Sequence, residues 1–231
     1  MSGQQVGAPL PGWSPRPRPY HAQLAGTDVR VEPLTPQHVP GLWEALCADG
    51  DAERWTYMPA GPFRDQNELA GYVQGLIDNP TSEALAIRSA QDGAVLGTAS
   101  YLRIDQANGV VEVGSITYGP RLARTRGATE VMWLMARHVF DDLGYRRYEW
   151  KCDALNAPSR RAAERLGFRY EGTFRQAVVY KGRNRDTAWF AMTDGDWAQL
   201  RPGYERWLAP DNVDEQGRQR ARLAELRRAE P

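Results

Sequence analysis

The chain has 231 residues, 42 % of them hydrophobic, with eight Trp and ten Tyr. That is enough for one sizeable α/β domain with tails. The formal net charge is zero, which excludes a whole-molecule bias toward nucleic acid or a membrane surface. Cys47 and Cys152 lie far apart, with no metal-type or redox-type neighbours, and read as free thiols in a reducing, cytoplasmic setting. His21, His38 and His138 are scattered, which argues against a metal site. No run approaches the ~18 apolar residues of a spanning helix. The start of the chain lacks the basic and then apolar pattern of a signal peptide. Among the cations only Lys151 and Lys181 are lysines.

Residues 1–20 are rich in Pro, Gly and Arg and read as an extended or disordered arm. Val29–Pro33 alternates and predicts a strand. Thr35-Pro36 is an N-cap with Pro at the first helical position, and the helix runs to about Cys47. Trp55-Thr-Tyr57-Met58-Pro59 with Gly61-Pro-Phe63 is an aromatic loop kept irregular by Pro and Gly. A second helix spans about Asp65 to Ile77. Ala84–Ser89, the Gln91-Asp-Gly93 turn and Val95–Ile104 form a hairpin, and Asn108-Gly109 leads into the strand Val110–Tyr118. A helix from Thr129 to about Leu143 puts Val131, Leu134, Met135, His138 and Val139 on one side and stops at Gly144. Tyr148–Cys152 must cross over from the previous strand and is therefore parallel to it. A short helix, Pro158–Leu166, closes at Gly167. Phe168–Tyr170 and Thr187–Met192 are antiparallel strands around Tyr180–Asn184, followed by a helix from Asp196 to Leu208 and a charged, helical or frayed tail over 217–231. From Arg218 that tail holds five Arg and two Glu, a patch too short for salt-resistant nucleic-acid binding.

The turn Arg121-Leu-Ala-Arg124-Thr125-Arg126-Gly127-Ala128-Thr129 opens the longest amphipathic helix. A helix N-terminus with free N–H groups, ringed by arginines, suits a phosphate or pyrophosphate.

The order strand, basic turn, helix, strand, Asn156-Ala-Pro-Ser159, helix and Glu164-Arg-Leu-Gly-Phe168 resembles the acyl-CoA-binding half of the GNAT N-acetyltransferases. The branch resembled is that of the ribosomal-protein N-terminal acetyltransferases, through Glu112-Val-Gly114-Ser-Ile and Ala128-Thr129-Glu130. The likeness covers about Asp28 to Thr193. It implies an α/β (α+β) acyl-CoA N-acyltransferase fold, with a mixed, mostly antiparallel sheet split in a V and flanked by helices. The division it suggests is an arm over 1–20, a GNAT domain over 21–195 and a C-terminal extension over 196–231. One departure stands out. The family's loop reads Gln/Arg-x-x-Gly-x-Gly/Ala, whereas this chain has Ala123 and Arg126 at the first and fourth positions.

The resemblance implies acetyl-CoA as cosubstrate, with no metal. Arg121, Arg124, Thr125, Arg126, Gly127, Ala128 and Thr129 hold its pyrophosphate, Asn156 bonds the pantetheine arm, and Ser159 stands near the sulfur as a proton donor. Glu112 is the candidate general base, with Glu149 and Tyr118 as alternatives. Backbone N–H groups at Ser115 and Ile116 would polarise the thioester carbonyl. Trp55, Tyr57, Met58 and Phe63 would line the acceptor side, with the Tyr180–Asp186 hairpin as the other wall. No Ser-His-Asp or Cys-His arrangement is evident, so direct transfer to a primary amine is expected, the acceptor being a small molecule or a protein N-terminus. The rival readings are an acyl-CoA-binding sensor or scaffold, and an acyltransferase for a longer acyl group or an aminoacyl-nucleotide. A homodimer is compatible with the pattern. No membrane partner is expected, and nucleic acid is disfavoured.

Overall fold

The computed structural model describes residues 3–20 and 23–227. Of the sequence readings, His21, the first two residues of the arm and the last four of the tail lie outside the described residues. The elements are β1 (Leu24–Ala25), β2 (Val29–Pro33), α1 (Val39–Leu46), α2 (Gln66–Ile77), β3 (Glu83–Ser89), β4 (Val95–Asp105), β5 (Val110–Tyr118), α3 (Arg126–Arg137), β6 (Arg147–Asp153), α4 (Ala157–Leu166), β7 (Arg169–Tyr180), β8 (Arg183–Thr193), α5 (Asp194–Leu208) and α6 (Leu223–Leu226). The strands form one sheet in the order β1-β2-β3-β4-β5-β6-β8-β7. The β5–β6 pair is parallel, as its crossover helix requires. The other pairs are antiparallel.

Strand alternation sorts the side chains onto two faces. Leu85, Ile87, Tyr101, Val111, Val113, Tyr148, Trp150 and Phe190 pack with α3, α4 and α5 in the larger core. Ala84 and Ala86, one step out of phase, pack with α1 and α2 around Leu42, Leu69 and Trp55. Local chemistry fixes the helix starts. Asp65 accepts from the N–H groups of Asn67 and Glu68 (2.9 and 3.0 Å) at the start of α2. Thr193 accepts from Asp196 N at the start of α5. Gly167, at φ +98°, ends α4 in the left-handed region that glycine tolerates.

Several boundaries differ from the sequence reading. β7 and β8 are a long hairpin of 12 and 11 residues, because Glu171–Val179 pairs onward despite weak alternation. Two register shifts in β7, at Tyr170/Gly172 and Phe174/Val178, disguise that alternation. α3 begins at Arg126 and runs into one wide π-type turn, His138–Asp142. In the described part of the tail there is one helical turn, α6, whose Leu223 is buried. The described residues of the arm carry no helix or strand, and between Trp13 and Arg18 the arm contacts the domain. Trp13 Nε1 donates to Ala107 O (2.9 Å), Arg16 N to Gln106 O (2.8 Å), and Arg18 to Glu83, Pro80 O and Ser82 O. Arg16 and Arg146 both stack on the Trp13 ring.

Candidate functional site

The site begins where the sheet opens. β5 and β6 pair only from Val110↔Arg147 to Val113↔Trp150. Beyond that, β5 continues to Tyr118 and β6 to Asp153 with no pairing between them, which makes the expected split. Only β4 still pairs with β5 there, and its register shifts opposite Ser115 and Ile116. Ser115 takes φ +48°, a bulge conformation that bends the strand and re-aims its neighbours. Backbone groups of Gly114–Ile116 therefore border an open slot.

At one side of the slot stands the α3 turn. Thr125 caps it, accepting from Ala128 N (3.3 Å) and donating to Leu122 O (2.7 Å). The N–H groups of Arg126 and Gly127 remain without an intrahelical acceptor. Gly127 is buried, and a Cβ there would stand 3.1 Å from Val29 Cγ1, so the glycine lets α3 settle on β2. Glu130 ties the same region down. Its carboxylate accepts from the N–H groups of Thr27, Asp28 and Val29 at 2.7, 2.7 and 3.0 Å.

The arginines divide. Arg126, which stands where a glycine is usual, turns its guanidinium onto Asp28 (2.5 Å) and the carbonyl of Leu208, the last residue of α5. A cation at a helix C-terminus is favourable, and the side chain is thereby removed from any phosphate contact. Arg121 pairs with Asp92 at the surface (2.7 Å). Arg124, at φ +64°, is exposed and has no hydrogen bond or ion pair among the described residues. Thr129 does not serve a phosphate either: it is buried, and its Oγ1 accepts from both Nη atoms of Arg165 at 3.1 Å. Ala128 sits half-buried beside it.

At the other side, Asn156 Oδ1 caps α4 by accepting from Ser159 N (3.1 Å). Ser159 Oγ accepts from Trp150 Nε1 (3.0 Å), so the hydroxyl proton is left for another acceptor. The Cys152 thiol is a neighbour of that hydroxyl, and burial pushes this thiol's pKa up, which keeps it unreactive.

On the sheet face opposite α3 lies a row of charges. Glu112 is 4 % exposed. Its Oε2 accepts from Arg103 Nη1 and stands 3.0 Å from Lys151 Nζ. Lys151 also contacts Glu149 Oε2 (2.7 Å), Arg147 bonds Glu149 Oε1 (2.7 Å), and Arg147 reaches Glu171. The result is an alternating chain, Arg103–Glu112–Lys151–Glu149–Arg147–Glu171, across β4, β5, β6 and β7. Burial alone would raise the Glu149 carboxyl, but hydrogen bonds from Lys151 and Arg147 outweigh it and hold the carboxyl below its ordinary range. The Glu171 carboxylate correspondingly raises the Arg147 guanidinium. Burial pushes the Tyr118 phenol well above its usual range.

The acceptor-side expectations are partly corrected. Trp55 is 2 % exposed and packs edge-on against Phe63 (4.9 Å), which in turn meets Tyr72 (5.2 Å), so these rings hold the α1–α2 cluster together rather than line an opening. Met58 packs against the same cluster. Tyr57 does reach across, donating to Leu155 O (3.2 Å). The hairpin wall closes onto the same loop: Lys181 Nζ donates to Trp55 O (2.7 Å), and Tyr180 OH to Asp153 Oδ2 (2.8 Å). Burial draws the Lys181 ammonium below its ordinary pKa. The residues that sequence reasoning missed are Lys151, Arg103 and Trp189. The available signal was the alternation of Tyr148–Cys152, which puts Glu149 and Lys151, one of only two lysines in the chain, on the same face of the strand. Among the described residues no group of three or more His, Cys, Asp or Glu is arranged to hold a metal, and no helix is long and apolar enough to cross a membrane.

Residues 28–169 match the model of the Acetyltransferase (GNAT) domain. A crystal structure of a GCN5-related N-acetyltransferase from Brucella melitensis is 44 % identical, with a TM-score of 0.92 over 94 % of this chain and 99 % of that one. A Bacillus licheniformis protein named N-acetyltransferase p20 is 29 % identical over 64 % of this chain and 84 % of its own. At the level of fold alone, the chain also resembles an acetyl transferase from Salmonella typhimurium that modifies the N-terminal serine of ribosomal protein L7/L12, at 20 % identity, 73 % and 96 % coverage and a TM-score of 0.63. The split sheet, the capped turn that opens α3 and the match over more than half its length place this chain in the GNAT acetyltransferase family, whose members are acetyl-CoA-dependent N-acetyltransferases.

Proposed function

We propose that the protein transfers the acetyl group of acetyl-CoA directly to a primary amine, with Glu112 as the base. The observation that carries this is the position of Glu112, one residue before the last β5–β6 pair, on the sheet face opposite α3. In this reading the pyrophosphate sits on the N–H groups of Arg126 and Gly127 with Arg124 as counter-ion. Asn156 faces the pantetheine arm, and the N–H groups of Ser115 and Ile116 meet the thioester carbonyl. The acceptor ammonium gives a proton to Glu112. The neutral nitrogen attacks the carbonyl, a C–N bond forms and the C–S bond breaks; the departing sulfur takes the Ser159 hydroxyl proton, the amide nitrogen loses its second proton to solvent, and Ser159 is reprotonated from solvent. Each proton transfer by a positioned group contributes about 10²–10⁴-fold.

The acceptor is read as a small amine or a flexible chain end. The Tyr57–Leu155, Tyr180–Asp153 and Lys181–Trp55 bonds join three segments over that side, which leaves little room for a folded surface. The Salmonella relative's N-terminal serine substrate makes a short serine-started peptide the natural first protein-type acceptor to try. Calorimetry with acetyl-CoA and with desulfo-CoA tests binding, and thiol release against an amine panel tests transfer. Binding of acetyl-CoA without thiol release from any amine would favour the sensor reading, and no binding at millimolar concentration would sink both. Glu112→Gln is expected to lower kcat about 10²-fold or more while leaving acetyl-CoA binding intact.

A further inference from the structure

We infer that Lys151 is the positioning residue of the transfer: together with Arg103 it clamps one oxygen of the Glu112 carboxylate and leaves the other aimed into the opening of the sheet. The inference rests on Glu112 being the base. Both cations meet the same atom. Arg103 Nη1 donates to Oε2, and Lys151 Nζ lies 3.0 Å from Oε2. The remaining oxygen, Oε1, lies beside Gly114, where an added Cβ would come within 3.3 Å of it. Gly114 is the first residue of β5 beyond the last parallel pair, Val113↔Trp150. A carboxylate held in this way has a fixed torsion and one uncommitted lone-pair edge, which is what a base must offer an incoming ammonium.

Lys151 is itself immobilised. Its side chain is 4 % exposed, its Nζ is 2.7 Å from Glu149 Oε2, and it stands 3.7 Å from the centroid of the Trp189 ring. An ammonium enclosed by two carboxylates and an aromatic face loses little entropy on further ordering. Arg103, by contrast, is 63 % exposed and sits at φ +47° in a bulge of β4. The buried cation therefore carries the positioning, and the exposed one adds to it. The charged groups facing Glu112 are Arg103 from β4 and, from β6, Lys151 and Glu149, the last being the direct register partner of Glu112. Removing Lys151 takes the buried opposing charge away from this carboxylate, and Oε1 loses its fixed direction.

The test uses the full chain, acetyl-CoA and whichever amine of the panel turns over, with kcat/KM followed from about pH 6 to 9. Lys151→Met is expected to move the acid limb upward by about one pH unit, a roughly tenfold loss on that limb. The rate should recover toward high pH, and the KM for acetyl-CoA should stay within about threefold. Lys151→Arg, which keeps the charge, should restore most of the limb. If Lys151→Met fails to fold, Lys151→Met with Glu149→Gln removes one cation and one carboxylate together, and its limb should still lie above that of the wild type. An unshifted limb in the folded variant, alongside a Glu112→Gln protein that has lost activity, would overturn the role of Lys151 alone. A Glu112→Gln protein with wild-type rate and profile would instead remove the base assignment and the positioning role with it.

Discussion

The same strands, β5 and β6, present two very different faces. Toward α3 and α4 they offer Val111, Val113, Tyr148 and Trp150, an apolar support joined to Phe190 on β8. Toward the other side they offer Glu112, Glu149 and Lys151, whose side chains are also largely withdrawn from solvent but charged. Apolar burial is non-directional and tolerant, and its cost of disruption scales with the volume removed. The ionic face is directional: it adds little to stability relative to a packed apolar isostere, but it fixes where each oxygen points. One face holds the sheet together, and the other decides what the open end of the sheet does.

The comparison can be broken at its apolar side first. Phe190→Ala is expected to lower unfolding free energy by about 3–5 kcal/mol in denaturant titration, while the pH dependence of the surviving activity keeps its position. At the ionic side, Gly114→Ala puts a Cβ 2.5 Å from Leu102 Cδ1 and 3.3 Å from Glu112 Oε1. It should lower kcat roughly tenfold with a stability loss of only about 1–3 kcal/mol, measured by steady-state rates and melting. The phosphate turn sharpens the contrast. Arg124→Ala should weaken acetyl-CoA binding about tenfold in calorimetry, an effect that added salt suppresses. Arg126→Ala should leave that affinity within about threefold and instead lower stability by about 1–3 kcal/mol, because its contacts are internal. The smallest expected effect is titrational. The Glu149 carboxyl is held below its ordinary value of 4.5, so its pairing stabilises the fold above that pH and is lost as pH falls through the lowered folded value. Glu149→Gln should therefore show a shallower loss of stability below about pH 4.5 than the wild type.

Much of the scaffold was legible because local signals and global fold agree. Val110–Tyr118 was bounded by Asn108-Gly109 and the basic turn, and β5 has those limits. Asn156 read as a helix cap and is one. The candidate site was legible in part. Glu112 follows from its strand and its place before Gly114, but its partners come from β4 and β6, and pairing register across strands is not written in any one segment. Trp55 misled because an aromatic loop looks alike whether its rings face solvent or a core, and only the docking of α1 on α2 decides between them. Arg126 could not be placed either, since its carbonyl partner, Leu208, lies 82 residues away at the end of α5. The long β7–β8 hairpin was hidden by the two bulges that break its alternation.

Those bulges have a consequence of their own. β7 is the outermost strand of the sheet, long, and dotted with exposed Tyr170, Phe174, Val178 and Val179. A flat edge of that length and composition would template fibril growth by adding strand after strand from other copies. The irregularities at Tyr170/Gly172 and Phe174/Val178, with Gln176 at φ +51°, cut the edge into short runs that a foreign strand cannot follow in register. The same kinks that obscured the hairpin in the amino-acid pattern are a built-in guard against self-propagating aggregation.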